Sequence, residues 1–479
     1  MKSNNNFKHI YETTSLCGFC KKEIEASLIE KDNQVFMTKT CSVHGLQSVI
    51  ISSNAAWYHN IMKYKPVLKA PKQLGGEIKH NCPFDCGFCN RHEQQVYLPV
   101  IPITSSCNMN CSICYTINKN NDPYNIPINE FRSVVKRIRE NNPSLKIINL
   151  TGGEPTLHPK FIDILKICNE EGIERVTVST NGLLLINNDK LLKTMSELKT
   201  RVVLSFDSFN EKINLSILGR DITASKLQIL KLLDEYNIDT TLIPVLIQGF
   251  NDAELGDIVK LVLSNNFLRS LEIHSMTFTG QGGASFNHKG RITTYDILNN
   301  IETQTDGLIK VSDFMPAPVA HSLCYLTTYI LILNDGDYVP YNQFISKDDM
   351  IKLQTGNLYI EPGEKLENIL RDAISNLWSG IIEHEKSDQI LKSLKELLKK
   401  MFRKGISYSE QQYIAERSTK AIYIHSHMDE WTFDTKRIKQ CCVAVPELDG
   451  THIPTCSYNV LYREQDKRFS KTKELVGDK

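Results

Sequence analysis

The sequence predicts an α/β fold: a partial (β/α)6 barrel between an N-terminal metal-binding ribbon and a C-terminal α+β extension. Strand-like and amphipathic helical segments alternate from residue 97 to residue 276, which is typical of βα units around a parallel sheet. Short hairpins carrying cysteines precede this region, and the alternation stops after it. We therefore expect four parts: a ribbon (1–66), a linker with a cysteine loop (67–96), the barrel (97–276) and a C-terminal domain (277–479).

The composition is that of a globular chain. Of its 479 residues, 41% are hydrophobic and 23% are charged, and the formal net charge is +1. Such a small charge provides no long-range attraction to nucleic acid or to an anionic membrane. No segment has the apolar length of a membrane span, and the N-terminal residues lack the apolar core of a signal peptide. We expect a cytoplasmic protein without a nucleic-acid partner or a transmembrane segment.

The chain has 14 cysteines. In the cytoplasm disulfides are disfavoured, so clustered cysteines indicate metal sites. Most of them fall into four groups of three, and only Cys168 and Cys324 stand alone. Cys168 is predicted to be a small core residue.

The N-terminal group lies in two knuckles, C-x2-C and C-x2-H, separated by a hairpin with strands predicted at 34–40 and 46–52. This pattern is typical of a ribbon that holds one metal ion. The spacing fits zinc and a rubredoxin-like iron equally well. The four predicted ligands are Cys17, Cys20, Cys41 and His44.

The next segment, 64–81, is rich in proline, glycine and lysine and is predicted to be a linker. It leads into the spacing C-x3-C-x2-C at Cys82, Cys86 and Cys89, and the same spacing recurs at Cys107, Cys111 and Cys114. Three thiolates can bind three irons of a four-iron cluster, which leaves the fourth iron without a protein ligand. Each loop is thus a candidate cluster site, and the spacing alone does not distinguish them.

The barrel strands are predicted at 97–103, 145–151, 174–180, 201–207, 239–247 and 270–276, and the helices at 128–141, 160–172, 189–199, 223–237 and 252–265. Six strands are too few to close an eight-stranded barrel, so we expect an open one. Ligands of such sheets bind at the carboxyl ends of the strands. The second cysteine loop follows the first strand and therefore lies at that end.

Polar loops follow the next three strands. Two glycines after the second strand would let a ligand approach the backbone, and Glu154 would accept a ligand ammonium. The third and fourth strands end in small polar groups suited to a carboxylate or a ribose. The candidate ligand-binding residues are Gly152, Gly153, Glu154, Pro155, Ser179, Asn181, Ser205 and Asp207. Asp207 and His274 are also candidates for substrate contact, and His274 is otherwise a structural histidine.

After the barrel, the sequence predicts a glycine-rich loop at 277–291, a hairpin at 327–341 and helical structure at 364–404, with its leucine stripe packed in a core. The terminal segment, 441–464, is predicted to alternate strand and turn. Its three cysteines, Cys441, Cys442 and Cys456, are a further candidate cluster site, with no fourth ligand assigned.

C-x3-C-x2-C after the first strand, with Gly152-Gly153-Glu154-Pro155 after the second, resembles the radical S-adenosylmethionine (SAM) superfamily. The resemblance implies that Cys107, Cys111 and Cys114 hold a [4Fe-4S] cluster whose open iron chelates the methionine part of SAM. It also implies that residues 152–155 hold the methionine amine, with Asn181 and Ser205 as further contacts. In this family, one electron cleaves SAM, and the 5′-deoxyadenosyl radical abstracts hydrogen from substrate carbon. Ile113 stands where an aromatic residue is common in the family.

A closer resemblance covers nearly the whole chain. The N-terminal knuckles, the first cysteine loop, "HSLCYL" (321–326) and "HMDEWTFDTKRIKQCC" (427–442) look like the tetraether lipid synthase-like, or pterin methyltransferase-like, subfamily. It implies one mononuclear iron or zinc and one or two auxiliary [4Fe-4S] clusters. The family has a cysteine near position 97 that this chain lacks. The first triplet then recruits Cys324, His92 or Tyr97, keeps an open iron, or holds another ion.

We therefore predict a radical SAM enzyme that abstracts hydrogen from an unactivated carbon and forms a C–C bond by methylation or alkyl coupling. The alternatives are radical dehydrogenation or epimerisation, and a multi-cluster electron-transfer or redox-sensing protein that does not use SAM. The predicted partners are a small-molecule or lipid-like substrate and an external one-electron donor of the flavodoxin or ferredoxin type. The protein's own role is to orient the substrate and exclude water.

Overall fold

The computed structural model describes residues 7–72, 78–80, 82–87, 89–116 and 120–469. Residues 73–77 and 81 of the predicted linker and Phe88 of the first cysteine loop lie outside the described residues. None of the helices in the described ranges has the length and apolar character needed to cross a bilayer.

The N-terminal ribbon is a four-stranded antiparallel sheet in the order β1-β2-β3-β4. Apolar side chains alternate along β2 and β3, so one face is buried and the other meets solvent. Helix α1 closes the buried face, and the Asn54 side chain caps it by accepting a hydrogen bond from the Trp57 N–H. The elements are β1 (Lys8–Leu16), β2 (Glu23–Lys31), β3 (Gln34–Cys41), β4 (Gly45–Ser52) and α1 (Ala55–Ile61).

The alternating pattern forms a parallel sheet in chain order, as predicted. The strands are β5 (Leu98–Thr104), β6 (Ile147–Gly152), β7 (Arg175–Thr180), β8 (Arg201–Ser205), β9 (Thr240–Ile243) with its short continuation β10 (Val245–Leu246), and β11 (Leu268–Ser275). The helices are α2 (Ile128–Asn141), α3 (Phe161–Glu170), α4 (Asp189–Glu197), α5 (Glu211–Leu218), α6 (Thr223–Glu235) and α7 (Leu255–Ser264). Helix α5 was not predicted. It begins at the cap residue Asn210 and ends at Gly219, and only about two turns lie between them.

Two further parallel strands extend this sheet. The sequence did not predict that they join it. Strand β15 (Thr419–His425) pairs with β11, and β16 (Val443–Pro446) pairs with β5. The six predicted strands therefore have a parallel neighbour from the C-terminal domain at each edge, and the barrel stays open. Beyond β15 lie β13 (Tyr325–Ile332) with β12 (Met315–Pro316) and β14 (Tyr338–Pro340), and beyond β16 lies β17 (His452–Pro454).

The C-terminal domain corrects three predictions. The glycine-rich segment is not a loop throughout, because it forms helix α8 (Gly280–Ser285). The helical region 364–404 is broken at residues 379–386 into α11 (Glu364–Trp378) and α12 (Ser387–Met401). The segment after β17 is helical, as α15 (Thr455–Ser457) and a π-helical turn at Tyr458–Tyr462, where we expected strand and turn. The remaining helices are α9 (Thr294–Gln304), α10 (Lys347–Gln354), α13 (Tyr408–Arg417) and α14 (Thr435–Ile438).

The two largest apolar cores of the described residues stabilise this architecture. The larger one lies between the sheet and helices α2, α3, α4, α6, α7 and α9, continues into the ribbon, and contains Cys168 as a fully buried small residue. The second core packs α10, α11 and α12 on β13, and the predicted leucine stripe of α12 belongs to it. Burying these faces drives the docking of helices onto the sheet.

Candidate active site

The barrel encloses a cavity of about 370 Å³, within the size range of small-molecule sites. The second cysteine loop lies at the carboxyl ends of the strands, and all three of its thiols line the cavity. The opposite end is lined by arginines from the first residues of β7 and β8 and from the start of β11. The cavity therefore joins the predicted reactive end of the sheet to a charged inner end.

The cysteine loop is held by hydrogen bonds to its backbone. The Asn120 amide accepts from the Cys107 N–H (2.9 Å) and donates to the Cys107 carbonyl (3.0 Å). Helix α8 holds the other half, because Gln281 donates to the Cys111 carbonyl (2.7 Å). A side chain at Gly280 would place its Cβ 2.3 Å from the Tyr115 carbonyl oxygen. The glycine run of α8 therefore allows this helix to pack directly on the loop.

The three cavity thiols do not meet the spacing of a single-ion site. Thiolates on one zinc lie about 2.3 Å from it, so their sulfurs are less than about 4.6 Å apart. Only two groups of three or more potential ligands in the described ranges have atoms all within 4.8 Å of one another, and this loop is neither of them. Burial raises the pKa of the Cys107 thiol to about 12 and also raises that of Cys111. Cluster binding would therefore displace thiol protons.

The two glycines at the end of β6 line the cavity and also have a role that the sequence analysis did not predict. Gly152 has a φ of +141°, and a Cβ there would lie 2.1 Å from the Thr104 carbonyl oxygen. A Cβ at Gly153 would lie 2.2 Å from the Ser106 carbonyl oxygen. The close neighbour is thus the chain that leads into the cysteine loop. The Gly153 N–H bonds the Thr104 carbonyl (2.8 Å), which fixes this loop on the end of β6.

Glu154 is buried and lines the cavity. Its carboxylate accepts hydrogen bonds from the Thr180 hydroxyl (2.6 Å), the Asn181 N–H (2.7 Å) and the Thr156 hydroxyl (2.6 Å). Pro155 follows as the first residue of a short 3-10 turn that Glu154 caps. Glu154 therefore ties the ends of β6 and β7 together, in addition to facing the cavity.

The remaining predicted contacts, Ser179, Asn181, Ser205 and Asp207, all line the cavity. A buried lysine that the sequence analysis missed, Lys226, donates to the Asn181 carbonyl (2.7 Å) and the Ser205 hydroxyl (3.0 Å). Burial lowers the pKa of Lys226 to about 8 and raises that of Asp207 to about 6. The signal that could have identified Lys226 is its position in the sequence. It lies on the buried stripe of α6 with Ile229, Leu230 and Leu233.

Comparison with known proteins agrees with this geometry. The family model of the radical SAM superfamily matches residues 101–262, from β5 through most of α7 and including the cavity cysteines. The chain contains a radical SAM domain. As a radical SAM enzyme it uses a [4Fe-4S] cluster with SAM, and the electron-transfer alternative without SAM is not favoured.

A relative from Methanocaldococcus jannaschii, 7,8-dihydro-6-hydroxymethylpterin dimethyltransferase, is 28% identical over 96% of this chain and 95% of its own. GTP 3′,8-cyclase of Clostridium perfringens is 27% identical over 43% of this chain and 61% of its own. The crystal structure of Streptococcus suis SuiB bound to its precursor peptide SuiA aligns with a TM-score of 0.38 at 14% identity, over 62% of this chain and 68% of that one.

The ribbon of this radical SAM enzyme matches the HMPTM N-terminal zinc ribbon domain at residues 9–53. The ligand atoms of the four predicted residues, Cys17, Cys20, Cys41 and His44, all lie within 4.8 Å of one another. Burial raises the pKa of Cys17, but hydrogen bonds from the Cys20 backbone and the Gln47 side chain outweigh it and lower the pKa to about 6. The set is therefore compact enough for one ion, and its ligands permit zinc or iron.

Hydrogen bonds and close packing attach the ribbon to the C-terminal domain. The buried Lys39 ammonium donates to the carbonyls of Glu430 (3.0 Å) and Trp431 (2.7 Å). A side chain at Gly18 would overlap the Trp431 ring, since its Cβ would lie 2.6 Å from ring carbons. The knuckle glycine therefore lets this indole pack on the metal site.

The first triplet lies outside the cavity and packs on the C-terminal segment. The Cys86 N–H donates to the Tyr462 hydroxyl (2.8 Å), which itself donates to the Pro83 carbonyl (3.1 Å). Cys82 shares an apolar cluster with Cys441 and Cys456. Burial raises the pKa of Cys82 to about 11 and that of Cys86 to about 12.

The structure places the candidate fourth ligands as follows. The Cys324 thiol accepts from the Arg437 guanidinium (2.9 Å), and its charge raises the pKa of all three thiols of the terminal group. The His92 ring bonds the Cys441 carbonyl (3.0 Å). The Tyr97 ring is buried in the apolar cluster that also holds Cys442. Cys324 therefore lies near Cys441, Cys442 and Cys456.

Proposed function

We propose that this radical SAM enzyme methylates carbon on a small pterin-like heterocycle. The observation that carries the proposal is the one cavity into which the thiols Cys107, Cys111 and Cys114 and a wall of charged and imidazole groups both project. The alignment with a pterin dimethyltransferase over nearly both chains supports the substrate class. When bound at the loop, a [4Fe-4S] cluster with SAM supplies the radical that abstracts hydrogen from the substrate.

The charged end of the cavity favours a polar substrate over a lipid. Arg175, Arg201 and Arg269 line it together with Asp239 and Glu272. The Nε and Nη2 atoms of Arg269 are buried without a hydrogen-bond partner. Burying an apolar chain against such groups costs free energy, whereas carbonyl and ring nitrogen atoms would satisfy them. The Arg175 guanidinium stacks on the Tyr359 ring at 3.5 Å, so this wall also contains an aromatic face.

The residues of this chain have separate roles in the proposal. The three cavity thiols bind the cluster, and Gly152 to Pro155 with Asn181 and Ser205 hold SAM. Asp207 and Ser179 extend that contact surface. Lys226 holds the ends of β7 and β8 in place through its bonds to the Asn181 carbonyl and the Ser205 hydroxyl. Cys324 with the terminal cysteines, and the triplet at Cys82, Cys86 and Cys89, hold auxiliary clusters. An external one-electron donor of the flavodoxin or ferredoxin type reduces the iron–sulfur clusters.

The ranges 1–66, 67–96, 97–276 and 277–479 remain our proposal for the domains, with one refinement. Strands β15 and β16 belong structurally to the barrel sheet although they come from the last range. Substrate therefore binds between elements of two domains, and neither domain alone is expected to be active.

The test uses anaerobically reconstituted full-length protein with dithionite, SAM and 7,8-dihydro-6-hydroxymethylpterin. We expect 5′-deoxyadenosine, S-adenosylhomocysteine and a pterin heavier by one or two methyl groups, and deuterium from labelled substrate should appear in 5′-deoxyadenosine. Arg269→Met is the matched probe of substrate class. It should lower methylated product while uncoupled SAM cleavage persists, because it removes the proposed substrate contact and a bond to the Glu416 carbonyl, both at the end of the cavity opposite the cysteine loop. SAM cleavage that the pterin does not stimulate, with no methylated product, would refute the substrate assignment.

A further inference from the structure

Three histidines come together on one wall of the cavity, and only one of them was noted in the sequence. His274 lies near the end of β11, and it pairs in register with His425 at the end of the parallel strand β15. His427 follows two residues later. All three rings line the cavity.

The imidazoles are close enough to share one ion. Their ligand nitrogens all lie within 4.8 Å of one another, and the described residues contain only one other such group, the ribbon site. The ring centroids of His425 and His427 are 4.0 Å apart, and those of His274 and His427 are 5.0 Å apart. Nitrogen ligands on one zinc lie about 2.0–2.1 Å from it, so they are separated by less than about 4.2 Å. Small ring rotations therefore bring these nitrogens into a coordination sphere.

A carboxylate supports the group. Glu272 lies two residues before His274 on the same face of β11, and its Oε1 is 3.2 Å from His274 Nε2 and 3.4 Å from His425 Nδ1. Carboxylates in this position orient metal-bound imidazoles and increase their basicity. A packing role alone does not account for the arrangement. Three imidazoles lie on one cavity wall, and a single carboxylate, Glu272, contacts two of them.

We propose that His274, His425 and His427 bind a divalent transition-metal ion, with Glu272 orienting two of the rings. Three imidazoles suit Zn²⁺ or Fe²⁺, and a site with three protein ligands leaves a position open. That position faces the cavity, where it would hold water or a nitrogen or oxygen donor of the bound small molecule. The ion is separate from the ribbon ion and from any iron–sulfur cluster. The proposal does not depend on the identity of the substrate.

The nearest competing role is service to an auxiliary cluster. His427 Nδ1 lies 3.7 Å from the Cys456 sulfur, which belongs to the terminal cysteine group. His274 and His425 contact Glu272 and the other imidazoles instead. Substituting these two rings therefore tests the three-histidine site while leaving the Cys456 contact in place.

The experiment measures metal in reconstituted full-length protein after equilibrium dialysis against buffered Zn²⁺. We compare wild type, the double variant His274→Ala/His425→Ala, and the control His59→Ala, whose ring bonds Glu30 in the ribbon region. Wild type and the control should bind one more zinc per chain than the double variant, with equal iron and sulfide in all three. The difference between the zinc X-ray absorption spectra of the wild type and the double variant should show nitrogen and oxygen ligands and no sulfur.

Three results would overturn the proposal. Equal zinc content in wild type and double variant would show that the imidazoles bind no ion. Loss of iron and sulfide together with zinc would assign these rings to the clusters. A sulfur shell in the difference spectrum would place the zinc on cysteines. Circular dichroism of the three proteins separates these outcomes from misfolding, and the single variant Glu272→Gln, which should weaken zinc binding without abolishing it, repeats the test with both imidazoles intact.

Discussion

The spacing C-x3-C-x2-C occurs twice in this chain, and the two loops occupy opposite environments. The loop of Cys107 lies on the end of β5 and projects its thiols into the central cavity. The loop of Cys82 packs between the ribbon and the C-terminal segment, outside that cavity. The spacing gives each loop the same potential ligands, and the surroundings decide which of them can meet SAM and substrate.

Each loop also has its own pair of anchoring hydrogen bonds. The Asn120 amide bonds both the N–H and the carbonyl of Cys107, and the Tyr462 hydroxyl bonds the Cys86 N–H and the Pro83 carbonyl. The cavity loop is further confined by glycines on two sides, from β6 and from α8. The reactive loop is therefore held more closely by the barrel than the auxiliary loop is held by the tail.

The largest expected effect separates the two loops directly. Cys111→Ala should reduce 5′-deoxyadenosine formation to background, because the SAM-binding cluster loses one of its three ligands. The measurement is chromatography of reaction mixtures with dithionite. Substantial 5′-deoxyadenosine from this variant would mean that the other loop binds SAM.

The reciprocal change is Cys86→Ala. It should lower iron content and abolish methylated product while SAM cleavage without substrate continues, because the loop lies outside the cavity. Iron and sulfide analysis together with both product assays checks this. If Cys86→Ala also eliminated SAM cleavage at full occupancy of the cavity cluster, the division of roles would be wrong.

A smaller effect tests the confinement of the cavity loop. In Gly153→Ala the new methyl group meets the Ser106 carbonyl oxygen, and overpacking of this kind costs about 1–3 kcal/mol. We expect weaker SAM binding, by roughly tenfold at about 1.4 kcal/mol, measured by equilibrium dialysis with radiolabelled SAM. Gly290→Ala is the matched control, because a Cβ there would meet nothing within 4 Å. Equal losses in both variants would contradict the steric argument.

The smallest effects compare the anchors. Asn120→Ala and Tyr462→Phe each remove hydrogen bonds worth about 1 kcal/mol apiece. Asn120→Ala should speed the loss of iron to a chelator from the SAM-binding cluster, and Tyr462→Phe should speed it from the auxiliary one, as followed by electron paramagnetic resonance. Identical changes in the same signal would show that the loops are not independent.

Much of the barrel could be predicted because its helices have strong apolar periodicity. The range predicted for α2 agrees with the structure at both ends, and the predicted ranges of α3 and α4 differ by one or two residues at their ends. Strand β15 was missed, and β16 was expected only as part of a terminal segment of strand and turn, because both join the sheet through tertiary pairing with strands that are distant in sequence. His425 escaped with β15, since nothing in the local sequence reveals that it faces His274.

The candidate binding residues could likewise be predicted where they follow a strand, and not where tertiary packing brings them together. The loops after β6 to β8 line the cavity as their positions at strand ends predicted. Lys226 was missed because a helical apolar stripe normally indicates core packing, and a lysine within it reveals its partners only after folding. The grouping of Cys324 with the terminal cysteines likewise depends on chain segments that lie about a hundred residues apart.

The pairing of β15 and β16 with the two edges of the central sheet has a consequence for biosynthesis. Both strands, and the last three cysteines, come from the final part of the chain. While the ribosome is still translating, the six-stranded sheet therefore exposes two unpaired edges, and such edges are sites of aggregation. The cavity is therefore complete only after the C-terminal segment has left the ribosome.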